Sequence, residues 1–226
     1  MLTAHPDDES FAAAGTIHKN HEVGGQTVLV CATLGERGVS HMQNPMSIKE
    51  VKMTRKRELE KCAEILGISK VLFLNLPDTK LSAKGKVLQE SCLKIARAVS
   101  PELIMSFGDD GLTGHKDHVA IGRAAKHLAK DLRLDLCMFA FPKSFAKVAK
   151  ALFVERRKFG NYLANRGWKF EKPNIDIHIN PAVKGRALEC HASQLDRGGV
   201  MGSFPEKYKK LFLSREYFKY VEYHRS

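Results

Sequence analysis

Thr27-Val28-Leu29-Val30-Cys31-Ala32-Thr33 decides the fold of this chain. The run is β-branched and apolar, with Gly25 and Gly35 as its bounds. A strand with no polar face must be covered on both sides, as strands of parallel sheets are. Comparable runs recur at residues 71–76 before Pro77, 102–107 before Gly108 and 134–141 before Pro142. Residues 175–179 alternate instead, with Asp176 and His178 on one face and Ile175, Ile177 and Ile179 on the other. Helical patterns lie between these runs: residue 9 to about residue 20, then 47–66, 83–99 and 117–132. Leu59, Cys62, Ala63 and Leu66 have the spacing of one apolar helix face. The alternation predicts an α/β fold with a mostly parallel sheet between two helical layers.

The bulk properties bound the rest. A chain of 226 residues fits one domain, here 1–226 with a tail or lid from about residue 197. Apolar residues make up 43% and charged residues 27%, enough for a core without disulfides. The five cysteines are odd in number and widely spaced, with no CxxC pair, which predicts free buried thiols and a cytoplasmic setting. No apolar run approaches a transmembrane segment of roughly 20 residues, and no signal-peptide pattern opens the chain. The net charge of +12 raises nucleic acid or an anionic small molecule as partners. Residues 144–172 carry eight Lys or Arg against two Glu, read first as a solvated face and second as a site for an anionic partner. No nucleic-acid-binding motif accompanies the charge, which argues against specific nucleic-acid recognition.

The chemistry gathers in two short clusters. His5-Pro6-Asp7-Asp8-Glu9 stands where the first apolar residues give way to a helix, at the sheet edge where α/β proteins bind ligands. Helix-start preferences explain Pro6 and the three acids, but not His5. His5 and Asp8 are three apart and can share a helix face, while Asp7 points elsewhere. Gly114-His115-Lys116-Asp117-His118 repeats the pattern before residues 119–132. His5, Asp8 and His118 supply two imidazoles and a carboxylate, a donor set suited to catalytic zinc with a position left for water. Asp117 could orient an imidazole by a carboxylate–histidine hydrogen bond. Only three or four residues precede His5, fewer than the about five usual for a strand, so the native first strand is expected to begin upstream.

Ala4-His5-Pro6-Asp7-Asp8-Glu9, Gly35-Glu36-Arg37-Gly38, Arg55-x-x-Glu58-Leu59 and His115-x-Asp117-His118 together resemble the LmbE-like (PIG-L) deacetylases. The resemblance runs over residues 1–132, and Cys190-His191-Ala192-Ser193-Gln194 is similar to a short C-terminal motif of that family. It implies a Rossmann-like three-layer sandwich. It implies one Zn2+ held by His5, Asp8 and His118, Asp7 as general base, and His115 as a protonated oxyanion stabiliser helped by Asp117. Arg55 and Asp78 match sugar-contacting positions. The implied activity is hydrolysis of an N-acetyl group from an N-acetylglucosamine-type conjugate, with a homo-oligomer possible. Lys116 and Thr113 depart from the family pattern beside His115, where proline and tyrosine are common; this bears on substrate preference. His191 is read either as facing the site or as supporting packing or an N-terminal loop. The alternatives are hydrolysis of another small N-acyl compound and a catalytically silent basic binding protein. Retained Asp7 and His115 argue against the latter. No G-x-G-x-x-G follows the first strand, which argues against a nicotinamide enzyme.

Overall fold

A computed structural model describes residues 1–38, 45–145, 147–148, 172–195 and 205–223. The basic segment, with Trp168, and the glycine-rich stretch after Asp196 fall almost wholly outside the described residues, as do His41 and His224.

The apolar run at Val28–Cys31 forms β2, flanked in parallel by β1 (Leu2–Thr3) and β3 (Lys70–Phe73). A second sheet begins with β4 (Leu103–Phe107) and β5 (Asp135–Ala140), again parallel. β7 (Arg215–Val221) pairs antiparallel with β5 on one side and with β6 (Ile175–His178) on the other. The fold is therefore α/β with mostly parallel strands and an antiparallel edge. The polar alternation of β6 agrees with its place there, since an edge strand is not buried on both faces.

The two sheets meet at β1 and β4, where Ser106 Oγ donates to the Leu2 carbonyl at 2.9 Å. From β1 the chain builds outward through β2 and β3, and from β4 it builds the other way. That reversal is a topological switch point, and the loops leaving β1 and β4 open together above it. One of them is His5–Asp7 and the other runs from Gly108 to His115.

Helices cover both faces. α1 (Asp8–Glu22), α2 (Ile48–Leu66) and α6 (Pro181–Cys190) pack together, and α3 (Gly85–Val99) packs against α5 (Lys116–Leu132). The helical turn α4 (Gly111–Gly114) precedes α5, and α7 (Glu206–Ser214) leads into β7. α2 starts at a capping box in which Ser47 and Glu50 satisfy each other's backbone N–H, and it ends at Gly67 in the left-handed conformation. Gly122 lets α5 approach β4 closely: a Cβ there would stand 2.6 Å from the Phe107 carbonyl oxygen. This close fit holds the start of α5 over the C-terminal end of β4.

α1 is interrupted. Ala13 has φ −149° and ψ 15°, outside the helical range, so the ladder breaks in mid-helix. The freed N–H groups of Gly15 and Thr16 donate to Glu216 of β7 at 3.0 and 2.8 Å. Lys184 of α6 balances the buried carboxylate at 3.0 Å, and its ammonium also lies 4.3 Å from the Phe212 ring centroid. Residues 206–221, read in sequence as a tail, thus supply a strand paired on both sides and the carboxylate that caps a broken helix. The five cysteines are buried and free. No helix among the described residues is long and apolar enough to cross a membrane.

Candidate metal and catalytic site

The two clusters meet at the switch point. Asp8 heads α1 with its carboxylate folded back: Oδ2 accepts the backbone N–H of Ala4 at 2.9 Å and of His5 at 2.8 Å. Its Oδ1 faces His118 Nε2 at 3.2 Å, and His118 Nε2 lies 3.3 Å from His5 Nδ1. Zinc bonds of about 2.0–2.1 Å place tetrahedral ligand atoms about 3.3 Å apart. Two of the three spacings match one shared cation, and the third, His5 Nδ1 to Asp8 Oδ2, is longer at 3.9 Å.

The hydrogen bonds behind these rings set their tautomers. His118 Nδ1 donates to the Gly111 carbonyl at 3.1 Å and lies 3.2 Å from Thr113 Oγ1, so in the neutral ring the Nε2 lone pair faces Asp8 and His5. His5 Nε2 faces Asp78 Oδ1 at 3.1 Å and Asp117 Oδ2 at 3.4 Å, which reserves Nδ1 for the shared point. Carboxylate-backed and carbonyl-backed imidazoles of this kind are the ordinary support of metal-ligating histidines. Phe107 stacks on His118 with centroids 4.0 Å apart and walls the ring in place.

Two other donor groups lie close by: His5 with His115 and His118, and His5 with Asp78 and Asp117. Their remaining members are already engaged. Asp117 is fully buried and accepts the N–H groups of Thr79 at 2.6 Å and Leu81 at 3.0 Å. Asp78 accepts the Arg37 N–H at 2.8 Å. His115 Nδ1 accepts the Asp117 N–H at 3.2 Å, which leaves the proton of the neutral ring on Nε2.

Electrostatics follow from this crowding. Burial alone would lower the pKa of His5, but its hydrogen bonds to the Asp117 and Asp78 carboxylates and the Asp8 charge outweigh it and raise it to about 10. Asp8 is held well below the carboxylate range: burial opposes this, but the charge and hydrogen bond of His118 prevail. Asp78 is lowered likewise, against burial, chiefly by His5. Burial pushes the Asp7 carboxyl up, the Arg55 guanidinium opposes it, and Asp8 adds to the rise. Burial and the charges of His118 and His5 lower His115 to about 4. In the neutral form that ring still carries an N–H donor at Nε2.

Arg55, which the resemblance places against a sugar, is engaged with the site's own loops and with Asp7. It is 4% exposed, and its guanidinium donates to the Gly35 carbonyl at 2.7 Å, the Pro6 carbonyl at 2.5 Å and Asp7 Oδ2 at 3.0 Å. Gly35 allows the clamp: its φ is +64°, and a Cβ there would lie 2.1 Å from Arg55 Nη1. Asp78 is also buried, behind His5. Asp117 turns its carboxylate to His5 and donates its backbone N–H to His115 Nδ1. Glu9 is the site residue that sequence reasoning passed over, because an acid in a first helical turn is ordinary. It is fully buried and accepts the Asp7 N–H at 3.1 Å.

The comparisons decide the family. The family model described as PIG-L, GlcNAc-PI de-N-acetylase, matches residues 1–129. The chain belongs to the PIG-L (LmbE-like) family. A Bacillus cereus relative named probable N-acetyl-alpha-D-glucosaminyl L-malate deacetylase 2 is 33% identical over 201 residues, covering 87% of this chain and 83% of the relative. The N,N'-diacetylchitobiose deacetylase of Pyrococcus horikoshii, solved with an inhibitor, matches with TM-score 0.64 at 23% identity, covering 98% of this chain and 82% of that one. GalB, the 4-carboxy-2-hydroxymuconate hydratase of Pseudomonas putida, matches with TM-score 0.65 at 19% identity, covering 97% and 94%. The fold is thus shared by enzymes of different chemistry, and the site residues must choose the reaction.

Proposed function

We propose that this PIG-L chain is a metal-dependent N-deacetylase acting on an N-acetylglucosamine-type conjugate. The observation that carries the reading is that His118 Nε2 stands 3.3 Å from His5 Nδ1 and 3.2 Å from Asp8 Oδ1, with His115 packed against both imidazoles. Two imidazoles and one carboxylate with an open position match catalytic zinc in charge and donor type. Bound there, zinc would supply Lewis acidity to a water and to the amide carbonyl.

The chain's own residues do the rest. Asp7 takes a proton from the attacking water through Oδ1, because Arg55 holds Oδ2. Its raised pKa suits a base that must later act as an acid. His115 Nε2–H donates to the oxygen that gains charge as the carbonyl carbon becomes tetrahedral. A neutral donor serves here, since no proton needs to be transferred from that ring. Asp7 then returns its proton to the amide nitrogen, and the free amine and acetate leave. Asp117 and Asp78 act at one remove, by keeping Nδ1 of His5 turned to the metal.

The relatives' names supply the substrate class: amino sugars acetylated at nitrogen and joined to a polar or anionic group. The direct test is amine release by zinc-loaded protein from a panel of N-acetylglucosamine conjugates with neutral and anionic aglycones. The reading expects release from at least one class and none after chelation. Release from no N-acetyl amino sugar would contradict it.

A further inference from the structure

Asp7 is held in an unusual backbone conformation, with φ at +114° and ψ at −22°. Aspartate tolerates the left-handed region better than most residues, but a φ this large is not one of its resting conformations and needs support from its surroundings. That support has two visible parts. Arg55 holds the side chain and the preceding carbonyl. Glu9 Oε2 accepts the backbone N–H at 3.1 Å.

Glu9 is itself fixed from a distance. Its Oε1 accepts Ser10 Oγ at 2.7 Å and faces His191 Nε2 at 2.6 Å. His191 follows α6, 182 positions away in the chain, and both partners are almost fully buried. The same turn has a second anchor: Ser193 donates from its N–H at 2.8 Å and its hydroxyl at 2.6 Å to Glu58. Glu58 lies on α2 one turn after Arg55, so residues 191–193 brace both arms that hold Asp7. Burial lowers the pKa of His191, but Glu9 outweighs this and raises it. Its Nδ1 is buried without a hydrogen-bond partner. An imidazole kept in the interior with one nitrogen unpaired carries a desolvation cost. A site that needed only packing would be filled by an apolar side chain.

We propose that His191 and Glu9 are positioning residues for the general base: the His191–Glu9 pair holds the Asp7 backbone in its left-handed turn and so aims the Asp7 carboxylate. The proposal rests on the reading of Asp7 as base. Neither residue touches the reacting atoms, and misplacing a reacting group by about 1 Å costs on the order of 10² in rate.

The test compares zinc-loaded wild type with His191→Leu, His191→Asn and His191→Gln. Leucine cannot donate, asparagine is too short to reach Glu9, and glutamine restores a donor of nearly the right length. The expected result is kcat lowered roughly 10²-fold in the Leu and Asn variants at unchanged KM and metal content, with kcat largely restored in the Gln variant. Crystal structures provide a readout separate from turnover. In the Leu or Asn variant Asp7 should leave its positive φ while Asp8 and His118 stay in place, and in the Gln variant it should keep that φ. Asp7 unmoved in both disruptive variants would overturn the proposal, as would full kcat per folded molecule despite a lowered Tm. If wild type itself hydrolyses no N-acetyl amino sugar, the functional reading fails, while the Asp7 geometry still decides this proposal.

Discussion

The guanidinium of Arg55 lies 3.0 Å from Asp7 Oδ2 while also holding the carbonyl of Pro6. One buried cation therefore fixes both the charge and the direction of the proposed base. Its own charge lowers the Asp7 pKa against burial. Arg55→Met removes that charge, so the Asp7 pKa rises further and more of the base is protonated at neutral pH. Because Asp7 must be ionised to accept a proton, the acid limb of the kcat/KM profile moves to higher pH, by about 1 unit or more given the usual effect of an adjacent opposite charge. A pH–rate profile checks this. A variant that raised KM alone, with the acid limb unmoved, would return Arg55 to the sugar-contacting role that the family resemblance implied.

His115 and His118 are predicted to separate under mutation. His118→Ala removes a donor atom 3.2 Å from Asp8 and should abolish stoichiometric zinc. His115→Ala should keep zinc and lose roughly 10²–10³ in kcat, the usual cost of one oxyanion donor. Elemental analysis beside kinetics reads both. Equal zinc content in the two variants would contradict the assignment.

Metal binding should be tied to proton release. With no metal bound, His5 has a pKa near 10, while the ligating ring must be neutral at Nδ1. At neutral pH each binding event thus expels one proton, and affinity rises about tenfold per pH unit between roughly pH 6.5 and 8. The sign for folding is the opposite. A raised histidine pKa stabilises the metal-free fold fully below 6.5, and that stability fades as pH climbs toward 10. Calorimetry in buffers of different ionisation enthalpy measures the proton count; a count of zero would contradict the His5 environment described above.

The Lys184–Glu216 pair is a stability element remote from the metal ligands. Glu216→Gln leaves a buried ammonium without its counter-charge and weakens the cap on the broken α1 helix. Removing one member of a buried pair typically costs about 3–5 kcal/mol, and urea unfolding should show a loss of that size. A loss under about 1 kcal/mol would mean that the pair relaxes to solvent.

Much of this was legible in the residues. β2, β4 and β5 announce themselves as near-continuous apolar runs bounded by glycines and prolines, because a strand covered on both faces has little room for polar alternation. Helices 47–66 and 117–132 were readable from apolar spacing, and their ends fall at Ser47, Leu66 and Leu132. β7 was not legible: Arg215, Glu216 and Lys219 among aromatics read as a basic, aromatic tail, and only the fold shows Glu216 capping α1. The proposed metal donors could be named from two short motifs, since chain-local spacing puts each motif at a helix start. Their supporting contacts could not. Asp117 backs His5 across 112 positions, Arg55 reaches Pro6, and His191 reaches Glu9, and nothing local in the chain marks such pairings.

The central claim is that Asp7 moves the proton while His5, Asp8 and His118 hold the metal. It is tested most directly by Asp7→Asn, measured for zinc content and for amine release from the N-acetylglucosamine conjugate that wild type prefers. The account predicts one zinc per chain in both proteins, with turnover lost only in the variant. Turnover at the wild-type rate in Asp7→Asn would contradict it.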